Sequence, residues 1–307
     1  MKYLILSDMH ADFNFNLYNK KHQNDWSDEQ ANDTFTKWWN MKQLPQTEGI
    51  VIAGDISNDA RSWKQFVKFI KDKYKEVIIT LGNHDLVVKG ATCSESNRNF
   101  VNSEMKIKHL IDFCNKIPNV HLLEGDTYGP FAGCMGMSDF KAEVMPTFAG
   151  TMPLIWRRQW FDGCHWKYFN QIPLDIWDHY EKLMMELVKK QPKVMVTHFC
   201  PVELGVGWEY RNNYLNPMFY FTGKKFLDEM ADGSIWICGH IHQFATAEYI
   251  NDKGNKITIM ARPHGYPGEN SLQGFEWNYD DTKGRLGYNG KIYTIEDAII
   301  DAYNKAE

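Results

Sequence analysis

Short apolar runs alternate with amphipathic stretches along this chain of 307 residues. Apolar runs bounded by polar or turn-forming residues predict strands at 2–7, 49–53, 77–80, 194–197 and 235–238. Between the second and third strands, Trp63, Phe66, Val67 and Ile70 recur at helical spacing, with Ser57 or Asn58 placed to cap the helix. Met184, Leu187 and Val188 mark a helix leading into Val194. Segments 244–250 and 256–261 flank the turn-rich Asn-Asp-Lys-Gly-Asn and predict a hairpin, and a last strand is expected at 291–295. Strands alternating with helices define an α/β class.

The first five strands share one property. Each ends in a polar cluster: SDMH (7–10), GDISN (54–58), GNHD (82–85), THFCP (197–201) and GHIHQ (239–243). Open α/β sheets bind ligands outside the carboxyl ends of their strands, so these clusters are expected in one cleft. The one-residue spacing in Asp-Met-His and His-Ile-His would send both side chains the same way from an extended segment.

Taken as metal ligands, Asp8, His10, Asp55, Asn83, His198, His240 and His242 offer imidazole nitrogen and hard oxygen. That mixture suits Mn, Fe, Zn or Ni rather than Ca or a thiolate-bound ion. Seven ligands exceed one tetrahedral ion but fit two divalent transition-metal ions sharing a carboxylate. A lone His is more often a hydrogen-bonded structural residue. Here five of the 11 His fall in strand-end clusters, which chance does not explain. A single-ion redox centre with a facial triad is the other metal reading, and two ions per chain would eliminate it.

Composition narrows the classes. A hydrophobic fraction of 43% with 24% charged residues is ordinary for a globular protein and excludes disordered and fibrous classes. The chain reads as a single domain over 1–307. Net charge is −5, so no strong nucleic-acid-binding surface is expected. No apolar run is long enough to span a bilayer, which predicts no membrane association. The six cysteines lie far apart without a CxxC pair and read as reduced thiols in a cytoplasmic protein.

The ordered set DMH, GD, GNHD, TH and GHIH resembles the calcineurin-like metallophosphoesterases over roughly residues 1–262. The resemblance implies a four-layer α-β-β-α sandwich of two mixed β-sheets flanked by helices. It implies one ion on Asp8, His10, Asp55 and His242 and another on Asp55, Asn83, His198 and His240, with Asp55 bridging. It makes His84 the catalytic general acid and Asp85 the acid that orients it, with an ion-bridging hydroxide attacking a phosphate monoester or diester.

Protein Ser/Thr phosphatases of that superfamily carry Asp-Arg-Gly after the GD. Here the segment is GDISNDAR, which disfavours that branch. A nuclease of the superfamily and a catalytically silent scaffold remain alternatives. YLNPMFY (214–220) and PHGYPGE (263–269) resemble small bacterial and phage phosphoesterases, which show Asn-Pro-Arg-Gly-Tyr where this chain has Arg262-Pro263-His264-Gly265-Tyr266. Either Arg262 or His264 touches substrate, or the segment simply shapes a turn. The aromatic-rich stretch 141–173 reads as an insertion that packs on the scaffold or caps the cleft. Arg157, Arg158 and, in a later loop, Arg211 are candidate phosphate contacts. The expected substrate is a small or nucleotide-like phosphate ester.

Overall fold

Tyr3 and Ile5 face one way and Leu4 and Leu6 the other, as the twofold period of a strand requires, and all four are buried. A strand covered on both faces needs a layer on each side. The computed structural model describes residues 1–15, 27–42, 44–88, 97, 99–141, 151–167, 172–204, 206, 213–267 and 276–278. It supplies those layers with two stacked sheets.

The first sheet holds β1 (Lys2–Leu6), β2 (Gly49–Ala53), β3 (Glu76–Thr80), β4 (Val120–Leu122) and β11 (Glu276–Asn278), in the order β11-β1-β2-β3-β4. Only β11 runs antiparallel to its neighbour. The second holds β5 (Asp126–Tyr128), β6 (Phe131–Gly133), β7 (Val194–Val196), β8 (Ile235–Cys238), β9 (Ala245–Ile250) and β10 (Lys256–Ala261), in the order β5-β6-β7-β8-β10-β9. Its centre is parallel, and β5 and β9 are antiparallel edges. Between the sheets, Tyr3, Ile5, Val51, Ile78, Phe131, Val196 and Ile237 form one buried cluster. Alternate residues of the same strands face outward into a second cluster shared with the helices. The expected four-layer sandwich is the arrangement observed.

Helices cover the outer faces: α1 (Ala11–Asn14), α2 (Asp28–Lys42), α3 (Ala60–Lys71), α4 (Ser103–Cys114), α5 (Met152–Gln159), α6 (Phe161–His165), α7 (Pro173–Val188) and α8 (Lys224–Leu227). The cap of α3 is Asp59, whose carboxylate accepts from Ser62 N at 2.9 Å, rather than Ser57 or Asn58. Those two are committed elsewhere: Ser57 N donates to Asp85 and the Asn58 amide holds His84. The helix predicted before Val194 begins at Pro173, a residue suited to the first turn because its missing N–H is not needed there.

Helices α5 and α6 lie in the aromatic-rich stretch 141–173. Trp156 and Trp166 are buried and meet edge to face at 5.5 Å, and Trp177 is buried against Phe221, so these tryptophans pack. The two sheets are tied at the site end, where Ser7 N donates to Arg262 O at 3.0 Å and His264 N to Ser7 O at 2.8 Å. Among the described residues, no helix is long and apolar enough to cross a membrane. Cys114, Cys134, Cys164, Cys200 and Cys238 are free thiols. Cys93 and the strand predicted at 291–295 lie outside the described residues.

Glu124, just after β4, is half-buried with its carboxyl group turned inward; its carboxylate accepts from Tyr180 Oη at 2.7 Å and Met135 N at 3.1 Å. Burial pushes its carboxyl from 4.5 up to about 7. The folded state therefore holds a proton that the unfolded chain has released. Stability from this group is full below pH 4.5 and is lost as pH rises through about 7. Glu124→Gln mimics the protonated group, since its amide can donate to Tyr180 Oη while its oxygen accepts from Met135 N. In urea melts it should flatten the decline in stability between pH 5 and 8 relative to wild type. An unchanged pH slope would show that Glu124 does not take up the proton.

Candidate metal centre

The backbone pairing of β1 and β2 continues past the strand ends. Asp8 N donates to Gly54 O, His10 N to Asp55 O and Ala11 N to Ile56 O, at 3.0, 3.0 and 2.7 Å. The Asp-Met-His and His-Ile-His segments are not extended, contrary to expectation. Asp8, His10, His240 and His242 have φ of 54, 39, 69 and 49°, and Asp55 has 56°. The chain coils tightly once each strand ends, and the left-handed residues keep both side chains of each pair turned to the cleft within a shorter arc. Each such residue costs about 1–2 kcal/mol outside glycine. Gly82 is required for a different reason: a Cβ there would strike the Asp55 backbone N and carboxylate.

The structure gathers all seven expected ligand residues at the ends of these strands. Near one point, Asn83 Oδ1 lies 2.7 Å from His198 Nε2 and 3.0 Å from His240 Nδ1, and His198 Nε2 lies 3.3 Å from Asp55 Oδ2. His198 Nδ1 donates to Ala53 O at 2.8 Å, which in the neutral ring leaves Nε2 as a lone pair. His240 Nε2 donates to Met218 O at 3.2 Å, which leaves its Nδ1 as a lone pair. With both rings neutral these atoms meet acceptor to acceptor, and only a proton or a cation relieves that. Near a second point, His10 Nε2 lies 3.1 Å from His242 Nε2 and 3.8 Å from Asp55 Oδ2, and His242 Nε2 lies 3.4 Å from Asp8 Oδ1. Donors bound to a common transition-metal ion at about 2.0–2.2 Å stand roughly 3–3.4 Å apart, so the donor set fits one cation at each point. The groups Asp8–His10–His242 and Asp55–His198–His240 have the compactness of ion-holding clusters.

The charge balance agrees. Burial would raise the Asp8 carboxyl, but the hydrogen bond and charge of His242 outweigh it and hold it at about 2. Asp55 is likewise held well below its ordinary range, because His198 and His84 outweigh burial. Burial would push His198 down, yet Asp55 lifts it to about 9. A proton on His198 does there what a cation would do. Burial, with His198 nearby, drives His240 down to about 3, and burial together with His84 drives His10 well below 6.5.

His84 stands beside this cluster, its ring edge-on to His10 at 4.7 Å. Its Nδ1 donates to Asn58 Oδ1 at 2.7 Å, and its Nε2 lies 3.1 Å from Tyr266 Oη. The residue expected to orient it, Asp85, does something else. The Asp85 carboxylate accepts from the backbone N–H of Asp55, Gly82 and Ser57 at 3.1, 2.8 and 3.0 Å, locking two ligand loops together. Burial and the neighbouring Asp55 push Asp85 up to about 7. Asn58 takes the orienting position because its own carbonyl is pinned, by Lys106 Nζ and Asn97 Nδ2, each at 2.7 Å. Lys106 is fully buried, on the α4 face it shares with Ser103 and Leu110. A lysine on a core-facing stripe is a signal that the helical periodicity contains.

The expected substrate contacts fare differently. The Arg262 guanidinium donates to Ala245 O, Ala261 O and Thr246 Oγ1 at 2.8, 2.7 and 2.7 Å, and so points into the edge of β9. His264 is buried and stacked on Trp38 at 5.1 Å. Arg157 and Arg158 are exposed on α5, and Arg211 lies outside the described residues. Tyr266, by contrast, stacks on His10 at 4.3 Å with an interplanar angle of 21°. Gly265, with φ of 79°, makes the turn that delivers it, and Gly265 N donates to Asp8 O at 3.0 Å.

A two-sheet sandwich with paired Asp/His clusters at its strand ends defines a metal-binding hydrolase class. A profile of the calcineurin-like phosphoesterases matches residues 1–244, and the chain belongs to that family. It is on that ground a phosphoric ester hydrolase. A comparison with curated protein sequences finds no match. Among solved structures, the chain is similar to the phosphopantetheinyl hydrolase PptH from Mycobacterium tuberculosis. The TM-score is 0.61 at 14% identity, over 95% of this chain and 98% of that one. A dimetal phosphatase from Danio rerio aligns with a TM-score of 0.45 at 11% identity, over 92% and 93% of the two chains.

Asn58→Ala removes the partner of His84 Nδ1 while leaving the pinned Asn58 carbonyl in place. Ion content by elemental analysis should stay at the wild-type value while kcat for ester hydrolysis falls roughly tenfold or more, as for other orienting partners. An unchanged kcat would show that the His84 ring is oriented by something else.

Proposed function

We propose that the chain hydrolyses phosphodiesters of small or nucleotide-like alcohols at a pair of divalent ions. Asp8, His10, Asp55 and His242 would hold one ion, and Asp55, Asn83, His198 and His240 the other. The observation that carries this reading is the convergence of Asn83 Oδ1, His198 Nε2, His240 Nδ1 and Asp55 Oδ2 across 2.7 to 3.3 Å, a cluster that calls for positive charge and draws a proton onto His198 when no ion is bound. Mn, Fe, Zn or Ni suits the mixed imidazole and carboxylate donors. Such ions, when bound, supply an activated water near neutral pH and neutralise phosphoryl oxygens.

The remaining work falls to the chain's own groups. With Nδ1 donating to Asn58 and burial lowering its pKa to about 4, His84 Nε2 is unprotonated at neutral pH; to serve the leaving oxygen it would first take up a proton, which a phosphate anion beside the ring favours. Phe161 stacks on the His84 ring at 4.4 Å and shields that side from water. Asp85 holds the backbone of both ligand loops still, so the donors keep their geometry through the reaction.

Charge favours a diester. Two dications with the carboxylates of Asp8 and Asp55 leave a charge of +2, and one ionised water would reduce it to +1, which a diester monoanion balances, whereas a monoester dianion overshoots it and calls for an added cationic clamp. Arg262 is turned into β9 and does not supply the clamp.

Protein reconstituted with Mn²⁺ should hydrolyse bis(p-nitrophenyl) phosphate with a kcat/KM at least about tenfold above that for p-nitrophenyl phosphate, and EDTA should abolish both. The opposite preference would contradict the diester assignment, and inactivity on both with every candidate metal would contradict the hydrolase reading. A panel of cyclic nucleotides, dinucleotides and nucleotide sugars then narrows the alcohol. His84→Ala should keep both ions and lose roughly 10²–10⁴-fold on esters with poor leaving groups, and far less on nitrophenyl esters. Equal losses on the two ester types would remove His84 from the leaving-group side.

A further inference from the structure

Asn83 presents an ambiguity that the ligand set alone does not resolve. Its side-chain oxygen and nitrogen are nearly the same size, and a half-turn of the amide would aim an NH2 group, which cannot ligate, at His198 and His240. Something must hold the nitrogen end.

That group is Asp162. Its Oδ1 accepts from Asn83 Nδ2 at 2.8 Å, and the residue is fully buried. By accepting from the amide nitrogen, Asp162 Oδ1 fixes which end of Asn83 faces the His198–His240 cluster. Asp162 belongs to α6, in the insertion, outside the strands that carry the ligands. The same short segment grips the Asn83–His84 turn twice more. Trp166 Nε1 donates to Asn83 O at 2.7 Å, and Phe161 stacks on His84.

The grip is itself anchored. Val88 N donates to His165 O at 3.2 Å and Ser103 N to Lys167 O at 3.0 Å, tying the far end of α6 to α4 and to the segment after His84. Gly163 lets α6 press against the backbone of α5, where a Cβ would collide with Trp156 O and Arg157 Cα.

We propose that the insertion sets the affinity for the ion at Asn83, with Asp162 as the positioning residue that selects the ligating face of the Asn83 amide. The proposal rests on the two-ion reading above. It gives the aromatic stretch a role distinct from capping substrate: the ion at Asp8, His10 and His242 is held without it, and the ion at Asn83 depends on it.

The test is calorimetric titration of metal-stripped full-length protein with Mn²⁺, with ion content measured after dialysis against limiting metal and the melting temperature of the stripped protein recorded alongside. Asp162→Leu should weaken one of the two ions about 10–100-fold, the usual range for loss of a partner behind a ligand, leave the other within about twofold, and not lower the melting temperature. Asp162→Asn keeps an acceptor oxygen of the same size without the charge. It should fall between wild type and Leu, a partial rescue that loss of packing would not produce, and it carries the test if the Leu variant does not fold. Wild-type affinity for both ions in the folded variants would overturn the proposal, as would equal weakening of both ions. Wild type that holds a single ion would overturn this proposal and the two-ion reading together.

Discussion

Four imidazoles, two carboxylates and one amide oxygen face one another across gaps of 2.7 to 3.8 Å, with their polar atoms aimed inward. Such an arrangement is repulsive unless positive charge stands between the atoms. The raised affinity of His198 for a proton, up to about 9 under the influence of Asp55, is the same demand expressed through the one cation an imidazole can recruit by itself. The rest of the architecture keeps these acceptors from turning away. Carbonyls of Ala53 and Met218 fix the tautomers of His198 and His240, and the Asp85 carboxylate ties the loops after β2 and β3.

The sandwich suits this task because its two sheets are joined where their strands end. Ser7 pairs with Pro263 in a parallel bridge, so the end of β1 and the continuation of β10 share one backbone network at the site. The strain in five left-handed ligand residues is a local cost met by that network and by the buried core between the sheets. His84 is held by groups from three different places: Asn58 after β2, Phe161 from α6, and Tyr266 beyond β10. Each contributes one contact, and each leaves the cleft-facing edge of the ring in a fixed direction.

Much of this was legible in the chain because apolar runs stop abruptly at Asp, Asn or His, and a strand that ends in such a cluster announces both its length and its purpose. The strands ending at Ala53, Thr80 and Cys238 and the hairpin of β9 and β10 appear where the pattern places them. The backbone at Asp8, His10, His240 and His242 was not legible, because left-handed conformations at non-glycine residues follow from tertiary hydrogen bonds rather than local preference. Asn58 was visible only as a candidate helix cap, since its pairing with His84 spans 26 positions. Asp162 was hidden among tryptophans, 79 positions from the amide it holds. Arg262 was a candidate phosphate contact from the resemblance of its segment to Asn-Pro-Arg-Gly-Tyr, and only the packing of β9 shows where its guanidinium goes.

Crystals grown with Mn²⁺ and measured for anomalous scattering test the central claim most directly. Two peaks roughly 3.5–4 Å apart, with the Asp55 carboxylate between them and His198 and His242 on opposite sides, are the predicted result. A single peak, or ligand side chains that turn away from one another in fully loaded crystals, would contradict it.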